Sequence, residues 1–128
     1  MAINVSLDIT DHSAEVLQAM REQVQLGLSA IGEEAEGYAK DDCPVDTGRL
    51  RNSIAFATAT DTDGHDEDSE PQGARDEDSV YIGTNVEYAV YVEEGDYNHK
   101  TGKKHFLRDA VANHGDHYRD IMEAALNT

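Results

Sequence analysis

Histidines cluster in the last third of the chain, and the imidazole side chain is a common ligand of zinc. His114 and His117 are three residues apart on a predicted helix, close to Asp116, while His99 and His105 lie upstream. The sequence lacks the His-Glu-x-x-His spacing that places two imidazoles and a catalytic carboxylate on one helical face. Because His114 falls in the apolar stripe of its helix, a partly buried structural histidine is the favoured interpretation. We therefore predict no metal site and no cofactor.

The triplet Asp46-Thr47-Gly48 is the second candidate for chemistry, since the same triplet carries the catalytic carboxylate of aspartic proteases. Its surroundings argue against that role. A long predicted helix and Pro44 precede it, where a protease has a hydrophobic strand, and Arg49 follows it. A neighbouring guanidinium would keep the carboxylate ionised, whereas the protease dyad must share a proton. No serine or cysteine has a recognisable partnered base, so we predict that the protein is not an enzyme.

A structural interpretation of the same segment fits better. Pro44 stops the preceding helix, and Asp46 or Thr47 can cap a short helical turn over residues 48–52. Gly48 would allow a tight backbone turn. Arg49 and Arg51 then project from a rigid element, where we expect them to pair with carboxylates within the subunit or across an interface.

Apolar periodicity predicts the elements of one domain, residues 1–128. The predicted elements are a strand at 3–9, a long helix over Ala14–Asp42, strands at 53–60 and 79–84, and a last helix over 106–126. Residues 86–94 could form a short helix or a strand, and the helix is favoured because Tyr88, Ala89 and Val92 share a helical face. This order defines the α+β class, with a small antiparallel sheet packed against a long N-terminal helix and a C-terminal helix. Gly27, Gly32 and Gly37 lie inside the long helix, either as mild weaknesses or as sites of close packing against a neighbouring subunit.

Residues 61–78 form an acidic segment almost free of apolar side chains. Such a composition predicts a flexible, solvated loop, here the connection of a β-hairpin between the second and third strands. The spacing of its aspartates invites comparison with a calcium-binding loop. However, the order of ligands, central glycine and closing glutamate that an EF-hand requires is absent, so a hairpin loop is the favoured interpretation.

The charge balance excludes one large class of partners. Asp and Glu number 27 against 10 Lys and Arg, which gives a formal net charge of -17. DNA affinity comes mainly from cations placed on phosphates, so a protein of this charge repels nucleic acid. The chain also repels itself, and molar salt, which shortens the screening length to about 3 Å, would relieve that repulsion. Because acids also cover the predicted helices, we favour a protein adapted to concentrated salt, like those of salt-in halophiles, over an ordinary acidic protein.

Cys43 is the only cysteine, which excludes an intramolecular disulfide and favours a small buried side chain over a reactive thiol. The sequence shows no charged-then-apolar leader and no apolar run long enough to cross a bilayer. We therefore expect a soluble protein, synthesised in the cytoplasm, with no membrane partner.

Two segments together resemble a known family. Residues 43–54, CPVDTGRLRNSI, resemble the "Pro-x-Asp-Thr-Gly-x-Leu-x-x-Ser-Ile" signature of minor tail or neck proteins of long-tailed phages. Residues 80–95, VYIGTNVEYAVYVEEG, resemble the "Val-Gly-x-x-x-x-Tyr-Ala-x-x-Val-Glu-x-Gly" stretch of that family, and residues 105–107 its closing "Pro-Phe-Leu" element. His105 stands where proline is common, and Glu94 where an aromatic side chain is common. The likeness covers most of the chain apart from the acidic loop.

The resemblance implies a structural virion protein of the neck, or tail-completion ring, at the head-tail junction. Such subunits form a ring, often hexameric, that joins the tail tube protein to the connector of the filled head, while DNA passes nearby without specific binding. For this chain we expect the interface to include Arg49, Arg51, Tyr88, Tyr91 and Glu93. The alternative is an acidic cytoplasmic binding module, or DNA mimic, that captures a basic protein partner.

Overall fold

A computed structural model describes residues 2–4, 14–44, 48–69, 76–94 and 105–127 of the chain. Its elements are β1 (Ala2–Asn4), α1 (Ala14–Asp42), α2 (Arg49–Ser53), β2 (Ala55–Ala57), β3 (Ser79–Gly83), α3 (Ala89–Glu94), α4 (Phe106–Ala112) and α5 (Gly115–Leu126). The α+β class, the bounds of the long helix and the short helix before residue 95 are confirmed. No helix within these ranges is long and apolar enough to span a bilayer.

The sheet has three strands in the order β1-β3-β2, and β3 runs antiparallel to both neighbours. Phe56 of β2 lies opposite Ile82 of β3, which confirms the predicted pairing on either side of the acidic segment. Strand β2 is shorter than predicted, because the N–H of Thr58 donates to the carbonyl of Asp61 at 2.7 Å instead of to the neighbouring strand. Only the beginning of the first predicted strand, in β1, falls within the described residues, and 5–10 lie outside them.

The core lies between one stripe of α1 and the sheet, and α4 and α5 complete it. The buried side chains of α1 recur every three or four residues, at Val24, Leu28, Ile31, Ala35 and Ala39. Burial of each large aliphatic side chain contributes about 1.5–3 kcal/mol, so this stripe is the main source of the helix's stability. Cys43, one residue past the helix, is buried as expected, and burial raises the pKa of its thiol to about 11.

Two of the three glycines of α1 are sites of close packing, but the packing is inside the subunit. A Cβ on Gly32 would lie 2.7 Å from the ring of Phe56, and one on Gly27 would lie 2.7 Å from the sulfur of Met122. A Cβ on Gly37 would meet nothing within 4 Å. For Gly27 and Gly32, the prediction of packing against a neighbouring subunit is therefore replaced by packing against the sheet and α5.

The prediction of one continuous C-terminal helix is wrong, because the chain breaks into α4 and α5. His114 has φ -127° and ψ 25°, outside the helical range, and Gly115 follows it. The buried hydroxyl of Tyr118 donates a hydrogen bond to the carbonyl oxygen of Ala110 across the break. Apolar spacing of three and four persists through both helices, so periodicity alone could not reveal the interruption.

The first part of the acidic segment is held by hydrogen bonds to the sheet and to itself. The carboxylate of Asp63 accepts the N–H of Phe56 at 2.9 Å, and the hydroxyl of Thr62 donates to the carbonyl of Phe56 at 2.8 Å. Ser69 is fully buried, and its hydroxyl accepts the N–H groups of His65 and Asp66. Most acidic side chains of 61–69 are solvent-exposed, as expected, while residues 70–75 lie outside the described ranges.

Candidate functional site

The candidate site is centred on Arg49, the first residue of α2. Gly48 precedes it with φ 86° and ψ -7°, a left-handed conformation that glycine adopts without steric cost. The N–H of Asn52 donates to the carbonyl of Gly48 at 2.9 Å and closes the turn. The tight turn predicted at Gly48 is thus confirmed, whereas Asp46 and Thr47, the predicted caps, lie outside the described residues.

Arg49 is a clamp between two carboxylates of its own subunit. Its Nε and Nη2 lie 2.9 and 3.1 Å from the oxygens of Asp68, and its Nη1 and Nη2 each lie 3.1 Å from an oxygen of Glu87. The guanidinium carbon lies 5.7 Å from the ring centroid of Tyr88, within the range of a cation–π contact. The predicted pairing of Arg49 with carboxylates is therefore confirmed, and both partners are intramolecular.

The clamp changes the electrostatics of all three groups. Hydrogen bonds from Arg49 lower the pKa values of Asp68 and Glu87, and hydrogen bonds to both carboxylates raise the pKa of the guanidinium. The side chains of Arg49 and Glu87 stay 43% and 74% exposed, so the arrangement is part of the surface. Its energy is modest for that reason, but its bidentate geometry fixes the orientation of the groups.

The clamp joins the two segments on which the family resemblance rests. Besides the Arg49 to Glu87 contact, the hydroxyl of Ser53 is hydrogen-bonded to that of Thr84. Asp68 lies between the segments, and its carbonyl accepts the N–H of Asn85 at 2.8 Å. The described parts of these two segments, residues 48–54 and 80–94, therefore meet in one surface, and the acidic segment supplies the carboxylate that links them.

The other predicted interface residues have different surroundings. The Nε of Arg51 donates to the carbonyl of Lys40 at 3.2 Å, so a cation lies at the C-terminal end of α1, where the helix dipole favours it. Tyr88 is half-buried beneath Arg49. Tyr91 belongs to α3, but its side chain lies outside what the structure describes.

Glu93 lies inside the subunit, at the start of α4. One carboxylate oxygen, Oε1, accepts the N–H groups of Leu107 at 2.7 Å and Arg108 at 3.2 Å, which is a helix cap supplied by another helix. Sequence reasoning missed this cap because its partners lie 14 and 15 residues away. The backbone also departs from the family pattern nearby, since His105 has φ 61°, a value that the ring of proline cannot adopt.

In the last helices, His114 is partly buried, as predicted, and His117 is exposed. The ring of His114 stacks on that of Tyr38, with centroids 3.6 Å apart and planes 2° from parallel. His117 lies 3.4 Å from a carboxylate oxygen of Glu34. In the described ranges, the set of side chains that could hold a metal ion is instead Glu93, Glu94 and His105, whose ligand atoms all lie within 4.8 Å of one another.

Around Arg49, then, the chain assembles ion pairs and hydrogen bonds that hold two backbone segments together at the surface. The family model described as "Bacteriophage HK97-gp10, putative tail-component" matches residues 9–95. This span is more than half of the chain and includes both segments and the clamp, so the chain belongs to the HK97-gp10-like family. No curated protein and no solved structure matches it. The family is one of phage tail components and not of enzymes, so the protein is a structural component of the virion.

Proposed function

We propose that the protein is the ring-forming subunit of the neck, or tail-completion ring, which joins the tail tube to the head connector. Family membership supports a tail protein, and one feature of α1 supports self-assembly. The apolar stripe of α1 extends beyond the core of its own subunit. A second copy of the chain is the occupant we propose for that surface, because rings are built from repeated contacts between unlike surfaces of identical subunits.

The first part of α1 carries apolar side chains that remain partly exposed in the part of the subunit that the structure describes. None of the described side chains from position 16 to 23 is buried, and the buried stripe begins at Val24. Leu17 and Met20 continue that stripe toward the N-terminus at helical spacing but remain half-buried. Val16, in the same part of the helix, is 44% exposed. Leu26 is 64% exposed and lies on the opposite side of the helix from the stripe, but it lines the groove described next. Single exposed apolar residues are ordinary. An apolar stripe that continues for roughly two helical turns beyond the buried core is suited to contact with another protein subunit.

A groove borders this part of α1, and a side chain of a neighbouring subunit could bind in it. Leu17 and Leu26 line it from the helix, and residues 59–61 and 77–78 line the opposite side. Arg21 lies among the lining residues together with Asp61, Glu77 and Asp78. The lining therefore combines apolar side chains with polar ones, and most of its charged groups are acidic, a mixture that protein interfaces commonly show.

The charge of the chain sets the conditions under which such a ring would form. Copies that each carry a formal charge of -17 repel one another, and molar salt screens that repulsion over about 3 Å. We therefore place the ring in a virus of a salt-loving host. An acidic ring would also keep outgoing DNA from adhering to its channel, since no excess of cations faces the phosphates.

The experiment compares two substitutions that each add one negative charge at an exposed apolar position. Leu26→Glu changes the groove, and Ala112→Glu changes the far end of α4. In molar salt, native mass measurements should give a ring for the wild type and for Ala112→Glu, and monomers with unchanged circular dichroism for Leu26→Glu. Assembly of Leu26→Glu at the wild-type level would rule out this surface as the interface. A wild type that stays monomeric and binds a basic protein at low salt would favour the acidic binding module.

A further inference from the structure

The ends of α3 and α4 bring together three side chains that the family resemblance does not explain. His105 precedes α4, and its Nδ1 lies 3.5 Å from Oε2 of Glu93 and 4.0 Å from Oε2 of Glu94, the last two residues of α3. The N–H of His105 also donates to the carbonyl of Glu93 at 3.1 Å. A backbone contact and a side-chain cluster thus coincide at the same place.

Two atoms of this cluster are buried without a hydrogen-bond partner. Glu93 is only 8% exposed, and its Oε2 has no partner, although its Oε1 accepts two backbone N–H groups. The Nδ1 of His105 is likewise buried and without a partner. A buried polar atom left without a hydrogen-bond partner is unfavourable, so a group that satisfies both atoms would stabilise the junction.

The spacing of these atoms fits a shared metal ion better than a direct bond. A charge-assisted hydrogen bond between imidazolium and carboxylate would be about 2.7–2.9 Å long, shorter than the 3.5 Å between Nδ1 and Oε2 of Glu93. Tetrahedral zinc with bonds of about 2.0–2.2 Å places its ligand atoms about 3.4 Å apart. The observed separations of 3.5 and 4.0 Å lie close to that value.

We propose that Glu93, Glu94 and His105 bind a divalent transition-metal ion of the Zn²⁺ class. One imidazole with two carboxylates is a donor set for such ions, whereas Mg²⁺ and Ca²⁺ prefer oxygen ligands alone. Two carboxylates balance the charge of the ion, and a water molecule can complete its coordination. The ion ties the end of α3 to the start of α4 and favours the left-handed backbone of His105, which a non-glycine residue adopts only at a cost.

The test uses the full chain without a polyhistidine tag, stripped of metal with a chelator and titrated calorimetrically with ZnCl₂. His105→Asn removes the imidazole with a residue that tolerates the left-handed region, and Glu94→Gln changes a side chain that is 62% exposed, which leaves the fold intact. The control is His117→Asn, because His117 also lies beside a carboxylate, at 3.4 Å from Glu34, but outside the cluster.

We expect one equivalent of Zn²⁺ to bind and to raise the melting temperature of the wild type and of His117→Asn. Glu94→Gln should weaken binding at least tenfold, and His105→Asn should abolish it. Absence of stoichiometric binding, or binding that His105→Asn leaves unchanged, would overturn the site. Equal binding of Mg²⁺ would overturn the class of ion. The outcome is independent of ring formation, since Leu26→Glu leaves all three ligands in place.

Discussion

The guanidinium of Arg49 forms two parallel hydrogen bonds with the carboxylate of Asp68, 19 residues further along the chain, at 2.9 and 3.1 Å. A second bidentate pair joins the same guanidinium to Glu87. A short helix, the acidic segment and the turn before α3 are thereby fixed by one side chain. Arginine suits this position because its planar group presents several donors in a fixed geometry.

Replacement of Arg49 by lysine should loosen the acidic segment while leaving the fold intact. Lysine keeps the charge but cannot bond both carboxylates in a bidentate manner. We expect faster hydrogen exchange at the amide of Asn85, which donates to the carbonyl of Asp68, and a lower melting temperature. Arg108→Lys is the matched control, because Arg108 lies 3.8 Å from its acidic neighbour and makes no comparable clamp. Unchanged exchange at Asn85 would show that the clamp does not hold this segment.

The same clamp should fail in acid. Because Arg49 lowers the pKa of Asp68 below 3.8, the stabilisation is present above that ordinary value and is lost as the pH falls through the lowered one. Exchange at Asn85 in the wild type should therefore approach that of Arg49→Lys only at strongly acidic pH. Convergence of the two proteins near neutral pH would contradict this assignment.

Two glycines of α1 should respond in opposite directions to the same substitution. Gly37→Ala should stabilise the protein by about 0.5–1 kcal/mol, because alanine favours the helix and the site is open. Gly32→Ala should destabilise it by about 1–3 kcal/mol, because the new methyl group would overlap the fully buried ring of Phe56. Denaturant unfolding of both variants measures the contrast. Equal effects at the two positions would show that the helix lies differently on the sheet.

Glu36 should make stability fall as the pH rises from about 4.5 to 7. Its pKa is raised from 4.5 to about 7, first by burial and then by the neighbouring carboxylate of Asp63, while Lys40 acts in the opposite direction. A carboxyl group with a raised pKa stabilises the folded state below its unfolded pKa, and that stabilisation is lost through the folded pKa. Because solvent reaches part of the group formed by Glu36, Asp63 and Lys40, the free energy of unfolding should fall by about 1–2 kcal/mol over this pH range.

Glu36→Gln tests this pH dependence, since glutamine resembles the protonated acid. The variant should match the wild type in unfolding experiments at pH 4.5 and exceed it at pH 8. Glu33→Gln, on the exposed side of the same helix, is the control and should leave the pH dependence unchanged. A wild type and a Glu36→Gln variant with parallel pH profiles would contradict the role of Glu36.

Local signals in the sequence were sufficient for most of the fold. The spacing of apolar residues from Val24 to Ala39 and the position of Pro44 determined the bounds of α1 correctly. The break at His114 was missed because it depends on backbone angles and on a hydrogen bond from Tyr118, neither of which changes apolar spacing.

For the candidate site, the sequence identified the cation but not its partners. Arg49 in a very acidic chain was expected to pair with carboxylates, whereas Asp68 and Glu87 could be chosen only after folding had brought them near. Glu93 illustrates the same limit, because it caps a helix that begins 13 residues later. Contacts between distant segments leave no periodic pattern, so composition and spacing cannot locate them.

Assembly of this tail component into a ring can be seen by electron microscopy of the purified wild-type protein in molar salt. We predict closed rings of one stoichiometry with a central opening, which dissociate as salt is withdrawn and repulsion between the acidic copies is no longer screened. Particles that remain monomeric at every salt concentration, or that form open filaments, would contradict the account.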